Sequence, residues 1–167
     1  IDDYTTAAAP VFTNEADTIV LIGETAGHLG QSLYLREIIG LETGRPPPVD
    51  LGAEKRNGDF VRGQIAGGVI SACNDVADGG VLVAIAEMAI KGGIGATIQV
   101  PDTANGSTCP AHAWLFGEDQ CRYLIATKDA VSLLAAAEAA GVTAIQIGIT
   151  GGKGLSLLGG TKETPLD

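Results

Sequence analysis

Val69-Ile70-Ser71-Ala72-Cys73-Asn74-Asp75-Val76-Ala77-Asp78-Gly79-Gly80, with the apolar run of residues 81–90 behind it, is the stretch that decides how this chain folds. Val69 to Cys73 read as a short buried strand, and the aspartates and paired glycines that follow predict a tight turn opening into a helix. Asp78 suits the N-cap, because a carboxylate can accept from the backbone N–H groups that lack partners in a first helical turn. Gly79 and Gly80 permit backbone conformations and close approaches that a side chain would block. Leu82, Ile85, Ala86, Met88 and Ala89 recur at helical spacing, so one helix face is expected to be buried. Lys91-Gly92-Gly93 then supplies a cation and a glycine, which the C-terminal dipole and C-cap favour.

Upstream, Thr18-Ile19-Val20-Leu21-Ile22 is a compact β-branched run that predicts a central strand. It empties into a second glycine-rich turn, Gly23-Glu24-Thr25-Ala26-Gly27-His28-Leu29-Gly30. A helix is expected over 31–39, with Tyr34/Ile38 and Leu35/Ile39 as apolar pairs and Gly40 as its stop. Arg45-Pro46-Pro47-Pro48-Val49 is stiff and extended. Asp50 can cap a helix over 51–66 whose buried face is Phe60, Val61 and Ile65, despite the cost of Gly58.

Downstream, Ala96-Thr97-Ile98-Gln99-Val100 alternates as a half-exposed strand, and residues 101–113 read as a polar loop. Trp114-Leu115-Phe116 leads through Gly117-Glu118-Asp119-Gln120 into a strand over 121–127. A helix over 129–140 would bury Val131, Leu134 and Ala135 and end at Gly141. Strands over 143–149 and 155–158 complete the set. The expected fold is α+β: a mixed sheet of about six strands with helical layers, ordered β-α-α-β-α-β and then β-α-β-β. Residues 1–17 form a lead-in from a preceding domain, 18–158 one domain, and 159–167 a tail.

The bulk numbers bound the function. A chain of 167 residues with 46% hydrophobic content can bury a proper core, built from aliphatic side chains because aromatics are only 4%. A net charge of −10 argues against a nucleic-acid backbone or an anionic membrane as partner. No apolar run approaches the roughly 20 residues of a membrane span. Cys73, Cys109 and Cys121 form no CxxC pair, which fits a reducing, cytoplasmic setting. An opening Ile-Asp-Asp-Tyr suggests a piece of something longer.

Candidate sites follow from the turns. The Asp75/Asp78/Gly79/Gly80 turn could point helix N–H groups at a phosphate. Its carboxylates would repel that anion unless Mg2+ bridged them, and capping by Asp78 with an Asx-type turn at Asp75 is the plainer use. Gly30-Gln31-Ser32 opens a helix without a carboxylate and is the better anion cradle, although the spacing is neither a P-loop nor a dinucleotide fingerprint. Glu118, Asp119 and Gln120 could be hydrogen-bond acceptors or metal ligands at a cleft, or sit in a solvated turn, where Arg122, if exposed, would pair with one of them for about 0–1 kcal/mol. His28 and His112 are too few for a metal site, Cys73 suits the core, and no nucleophile elbow is present. No catalytic residue and no metal ligand is assigned.

Four blocks together resemble the phosphoribosylformylglycinamidine synthase family. They are Gly23-Glu24-Thr25-Ala26-Gly27-His28-Leu29-Gly30-Gln31-Ser32-Leu33-Tyr34-Leu35-Arg36-Glu37, Pro46-Pro47-Pro48-Val49-Asp50-Leu51, Asn74-Asp75-Val76-Ala77-Asp78-Gly79-Gly80 and Leu115-Phe116-Gly117-Glu118-Asp119-Gln120-Cys121-Arg122-Tyr123. Their order matches the last, aminoimidazole-ribonucleotide-synthetase-like domain of the synthetase chain. The chain departs from the family pattern at Asn74, Ala77 and Val81, where His, Ser and Leu are usual, and at Cys121, where glycine is common.

The resemblance implies a part of an ATP- and Mg2+-dependent ligase of purine biosynthesis, converting formylglycinamide ribonucleotide and glutamine-derived ammonia to formylglycinamidine ribonucleotide. Its implied partners are the upstream domains of the same chain, a glutaminase subunit and a small accessory subunit. The family's catalytic histidines, ATP-binding lysine and most Mg2+ carboxylates would lie upstream, so this domain would be inactive alone. Its expected work is architectural: lining a cleft through Asp75, Asp78, Glu118, Asp119 and Gln120, with nucleotide or phosphate contact through Gly30, Gln31, Ser32, Gly79 and Gly80. Two rivals are a freestanding phosphate- or nucleotide-binding module and a subunit-docking domain.

Overall fold

A computed structural model describes residues 7–101, 109–159 and 164–166. Its strands are β1 (Thr18–Ile22), β2 (Ala72–Asp75), β3 (Ala96–Gln99), β4 (Tyr123–Thr127), β5 (Ala144–Thr150), β6 (Leu155–Leu158) and β7 (Thr164–Leu166). The α-helices are α1 (Leu51–Ala66), α2 (Gly80–Gly92), α3 (Ala111–Phe116) and α4 (Ala130–Ala139). All the strands join one mixed sheet in the order β2-β4-β1-β5-β3-β6-β7. Only the β3–β6 pair is parallel among them.

β1 is central and buried on both faces, which is why it reads as an unbroken apolar run. Ile19 and Leu21 point into one core with Val81, Ile85 and Met88 of α2 and Trp114 of α3. Val20 and Ile22 point into the other, with Val61 of α1 and Leu133 and Ala137 of α4. Two helical layers thus enclose the sheet around β1. The lead-in is packed on the domain: Phe12 is buried in the first core, its N–H donates to the Met88 carbonyl at 3.2 Å, and Ala9 bridges to Ala72 beside the edge strand β2.

Several expectations are corrected. The first strand of the deciding stretch begins at Ala72 and runs through Asp75, so Asp75 ends a strand instead of shaping the turn. Asp78 does not cap α2; Gly79 does, with φ +79° and no side-chain acceptor of its own. The helix expected over 31–39 is a π-helix, Tyr34–Ile39, and buries none of its residues; Ile38 and Ile39 are exposed. The polar loop over 101–113 gives way to α3 from Ala111, while its part 102–108 lies outside the described residues. In α4 the buried face is Leu133 and Ala137, and Val131 stands 81% exposed. Where a tail was expected, Thr164–Leu166 pairs antiparallel with β6, making seven strands instead of six.

Other expectations hold. Asp50 caps α1 by accepting from the Gly52 and Ala53 N–H groups at 2.8 and 3.0 Å, which also holds its carboxyl below the usual range. Beyond what was expected, Asp129, placed inside the helix by its sequence, caps α4 by accepting from Ser132 N–H at 3.0 Å. The Asp75–Gly80 segment is a strand-to-helix connection.

Candidate functional site

Both glycine-rich turns singled out in sequence are held by one acidic dipeptide, through Gly27, His28 and Gly79. Helix α3 stops at Gly117, and the next two residues turn their carboxylates back toward both glycine-rich turns. Glu118 Oε1 accepts from Leu33 N–H and from Gly79 N–H, each at 2.8 Å. Asp119 accepts from Gly27 N–H at 2.9 Å and His28 N–H at 3.2 Å, one on each carboxylate oxygen. Glu118 therefore ties the segment after the first turn to the N-terminus of α2. The cap that α2 draws from outside itself is Glu118, 39 residues away in sequence, and not the neighbouring Asp78.

Arg122 locks this arrangement from beneath. Its side chain is fully buried, where an exposed ion-pair partner was expected. Nε donates to the Asp119 carbonyl at 3.0 Å, Nη2 to the Gly117 carbonyl at 2.6 Å, and Nη1 to Thr25 Oγ1 at 3.2 Å. Nη1 also lies 3.7 Å from Asp119 Oδ2. Burial pulls the Arg122 pKa down, and the Asp119 carboxylate opposes that shift. A buried guanidinium with its donors shared among carbonyls, a hydroxyl and a carboxylate is an anchoring group.

The glycines permit the packing. Gly80 has φ +75°, and a Cβ there would sit 2.7 Å from the Gly117 carbonyl oxygen and 2.8 Å from the Phe116 carbonyl carbon. Helix α2 thus starts in direct backbone contact with the segment that carries Glu118. At the other turn, Gln31 N–H donates to the Thr43 carbonyl at 3.0 Å and Ser32 N–H to the Leu29 carbonyl at 3.1 Å. His28 Nε2 lies 2.7 Å from the Arg45 carbonyl, an acceptor only, so this ring nitrogen carries the proton. Gly80 N–H is taken by the Ala77 carbonyl.

The amides that a phosphate would need at Gln31, Ser32, Gly79 and Gly80 are therefore engaged by the protein's own acceptors. Asp75 and Asp78 are exposed, and Ser32 is buried. Asp75 and Gln120 line a cleft of about 760 Å³ with Val49, Glu54, Cys73 and Tyr123. Asp119 and Gln120 border a smaller one of about 270 Å³ beside Asp50 and Asn57. Tyr123 Oη donates to Glu54 at 3.0 Å; burial, then this contact, pushes the phenol up to about 12. Burial, reinforced by Asp75, pushes the Cys73 thiol up to about 11, which disfavours a thiolate nucleophile there. Cys121 has φ +64°, a left-handed backbone that glycine adopts more readily than cysteine. Among the described residues, no three His, Cys, Asp or Glu side chains come together as a metal-ligand set.

Sequence reasoning paired Arg122 with the acidic residues but did not place it in the interior, and it missed Asn57, whose Nδ2 donates to the Cys121 carbonyl at 2.8 Å.

The profile of the family described as AIR synthase related protein, C-terminal domain, matches residues 14–158. The chain belongs to this family. Curated relatives carry the name phosphoribosylformylglycinamidine synthase subunit PurL. The one from Rhodopseudomonas palustris is 53% identical over 161 residues, covering 95% of this chain and 21% of its own length. The Nitrobacter hamburgensis relative is 52% identical over the same span. This AIR synthase related domain thus spans about a fifth of the length of the relatives it matches.

Among solved structures, Thermotoga maritima PurL complexed with FGAR superposes with a TM-score of 0.79 at 20% identity, covering 97% of this chain and 29% of that one. Escherichia coli HypE, a hydrogenase maturation protein, superposes with a TM-score of 0.66 at 23% identity, covering 96% and 52%. The same sheet-and-helix architecture therefore serves proteins of different name, and the fold alone does not assign a reaction. Among the described residues, no helix is long and apolar enough to cross a membrane.

Proposed function

We propose that this chain is the C-terminal domain of a phosphoribosylformylglycinamidine synthase, the ATP-dependent ligase that joins ammonia to formylglycinamide ribonucleotide, and that its own work is architectural. The carrying observation is the 53% identity to PurL relatives along 95% of the chain. Thermotoga maritima PurL is known in complex with ATP, with ADP and as PurLQS; those are properties of that protein and support the reading by analogy. Glutaminase and small accessory subunits are the corresponding proposed partners, and the cytoplasm the proposed location.

ATP and Mg2+ belong, in this reading, to the rest of the polypeptide. The residues here do not fit a nucleotide phosphate: the glycine-turn amides already donate to Glu118, Asp119 and backbone carbonyls. A phosphate would have to displace a carboxylate and then lie against it. The domain instead contributes a rigid wall, in which Asp75, Asp78 and Gln120 remain available to face a neighbouring domain or a substrate.

Calorimetry and turnover test this together. The chain alone should neither bind Mg2+–ADP nor form the amidine, whereas the full-length protein should do both. Tight Mg2+–ADP binding by the chain alone would favour a freestanding nucleotide module. Absence of amidine synthesis by the full-length protein would remove the assignment.

A further inference from the structure

We infer that Asp17, the residue before β1, holds a monovalent cation inside the domain. Asp17 is 1% exposed. Both of its side-chain contacts fall on one oxygen: Oδ2 accepts from Ser71 Oγ at 2.5 Å and from Asn14 Nδ2 at 3.1 Å. Among the described residues, Oδ1 has no hydrogen-bond partner, and no Lys, Arg or His nitrogen lies within 4.0 Å of the carboxylate. A carboxylate taken out of water in this way is costly unless a positive charge joins it.

The turn that buries it is held in place. Ala16 has φ +62°, a left-handed backbone that a residue with a Cβ adopts only at a cost. Its N–H donates to the Thr150 carbonyl at 2.8 Å, Asp17 N–H donates to Thr150 Oγ1 at 2.9 Å, and Thr150 N–H returns a bond to the Asp17 carbonyl at 2.9 Å. Strand β5 thus clamps a strained turn whose acid faces inward. Thr13, Glu15 and Ala16 are exposed, so a small ion has a short way in from solvent.

Charge and proton counting select the occupant. Water would satisfy Oδ1 but leave the buried charge uncompensated. A proton on Oδ1 would have no acceptor, since that oxygen has no partner of either kind. A proton on Oδ2 would compete with the two donors already there. The Ser71 hydroxyl can give its hydrogen to Asp17, because the Ala126 carbonyl beside it already accepts from Ser71 N–H at 2.9 Å. The Ser71–Asp17 contact also has the length of a hydroxyl on an ionised oxygen, roughly 2.5–2.7 Å. A cation supplies the missing charge. No three His, Cys, Asp or Glu side chains gather among the described residues, so the site lacks the charge a divalent ion draws on. Thr13 Oγ1 and the Ser71 and Asn14 carbonyls, in the same cluster, are neutral oxygens of the kind alkali cations take.

Crystals of the full-length protein grown with Tl+ as the alkali substitute test this directly: an anomalous peak is expected against Asp17 Oδ1. In solution, hydrogen exchange at Ala16, Asp17 and Thr150 is compared in KCl or NaCl and in choline chloride of equal ionic strength. A cation present at about nine times its dissociation constant should slow exchange there about tenfold. Asp17→Asn, which keeps the shape and removes the charge, should abolish that salt difference. An ordered water without anomalous signal at Oδ1 would overturn the inference, as would equal exchange in the alkali and choline salts or a salt effect that survives Asp17→Asn. Should the variant not fold, the anomalous map of the parent protein decides alone.

Discussion

Glu118→Ala tests the acidic clamp most directly. The substitution leaves the Leu33 and Gly79 amides without the acceptor that now sits 2.8 Å from each. An orphaned donor costs about 1–3 kcal/mol, and loss of a charge-assisted acceptor lies toward the upper end. Glu118 is half-buried, so water can recover part of that cost. The expected loss is therefore about 3 kcal/mol, a large share of the roughly 5–15 kcal/mol that stabilises a domain. For a chain of this size it corresponds to a fall of roughly 6–12 °C in Tm. Glu118→Gln keeps a carbonyl oxygen in place and should lose about 1 kcal/mol. Urea denaturation followed by circular dichroism measures both, and amide hydrogen exchange should quicken at Leu33 and Gly79 in the alanine variant. A Glu118→Ala protein within about 0.5 kcal/mol of the parent, with unchanged exchange at those amides, would refute the clamp.

Gly80→Ala forces a Cβ onto the Gly117 and Phe116 backbone at φ +75°, and a loss of about 2–4 kcal/mol in the same urea assay is expected. Arg122→Lys replaces the buried fork with a point charge and should cost about 2–3 kcal/mol, while Arg122→Met, which strands Asp119, should cost about 3–5 kcal/mol; equal stability of all three proteins would contradict the anchoring role. Tyr123 has its pKa raised from 10.0 to about 12 in the fold, so its contribution is complete below pH 10 and is lost as pH rises toward 12. In a Cys73→Ala background, which removes the thiol shifted from 9.0 to about 11, Tyr123→Phe should flatten that alkaline decline in the denaturation midpoint. An identical decline in both proteins would show that the phenol is not its source.

What could be read from sequence was whatever depends on neighbours along the chain. Apolar period placed β1 and α4, and Asp50 placed α1 because it caps the helix that begins beside it. The same logic failed at Asp78, since α2 is capped by Glu118 across the fold and a long-range acceptor leaves no local trace. The segment after Gly30 misled for a related reason. Tyr34, Leu35, Ile38 and Ile39 have helical spacing, but a π-helix changes the angular register: Tyr34 and Leu35 are half-buried, Tyr34 against Phe116 and His112, while Ile38 and Ile39 face outward. Arg122 looked like a surface charge beside two acids. Its burial follows from Thr25, Gly117 and Asp119 meeting around it, a contact set spanning 97 residues of sequence. The glycine blocks were correctly read as turns, whereas what fills them depended on where residues 118 and 119 return.

The clamp shows how glycine-rich turns can be held together by the chain's own carboxylates. A turn that points bare amides outward is unstable until an acceptor arrives, whether a bound anion or a carboxylate from the same chain. A free anion must pay translational entropy each time it binds, while a tethered carboxylate does so once, on folding. Glu118 and Asp119 hold that tethered position, with Arg122 orienting Asp119 from the protein side. Their grip comes from the chain itself and needs no bound ligand. The glycines keep the geometry that lets backbone approach backbone, and the acids supply the charge that a ligand would otherwise bring.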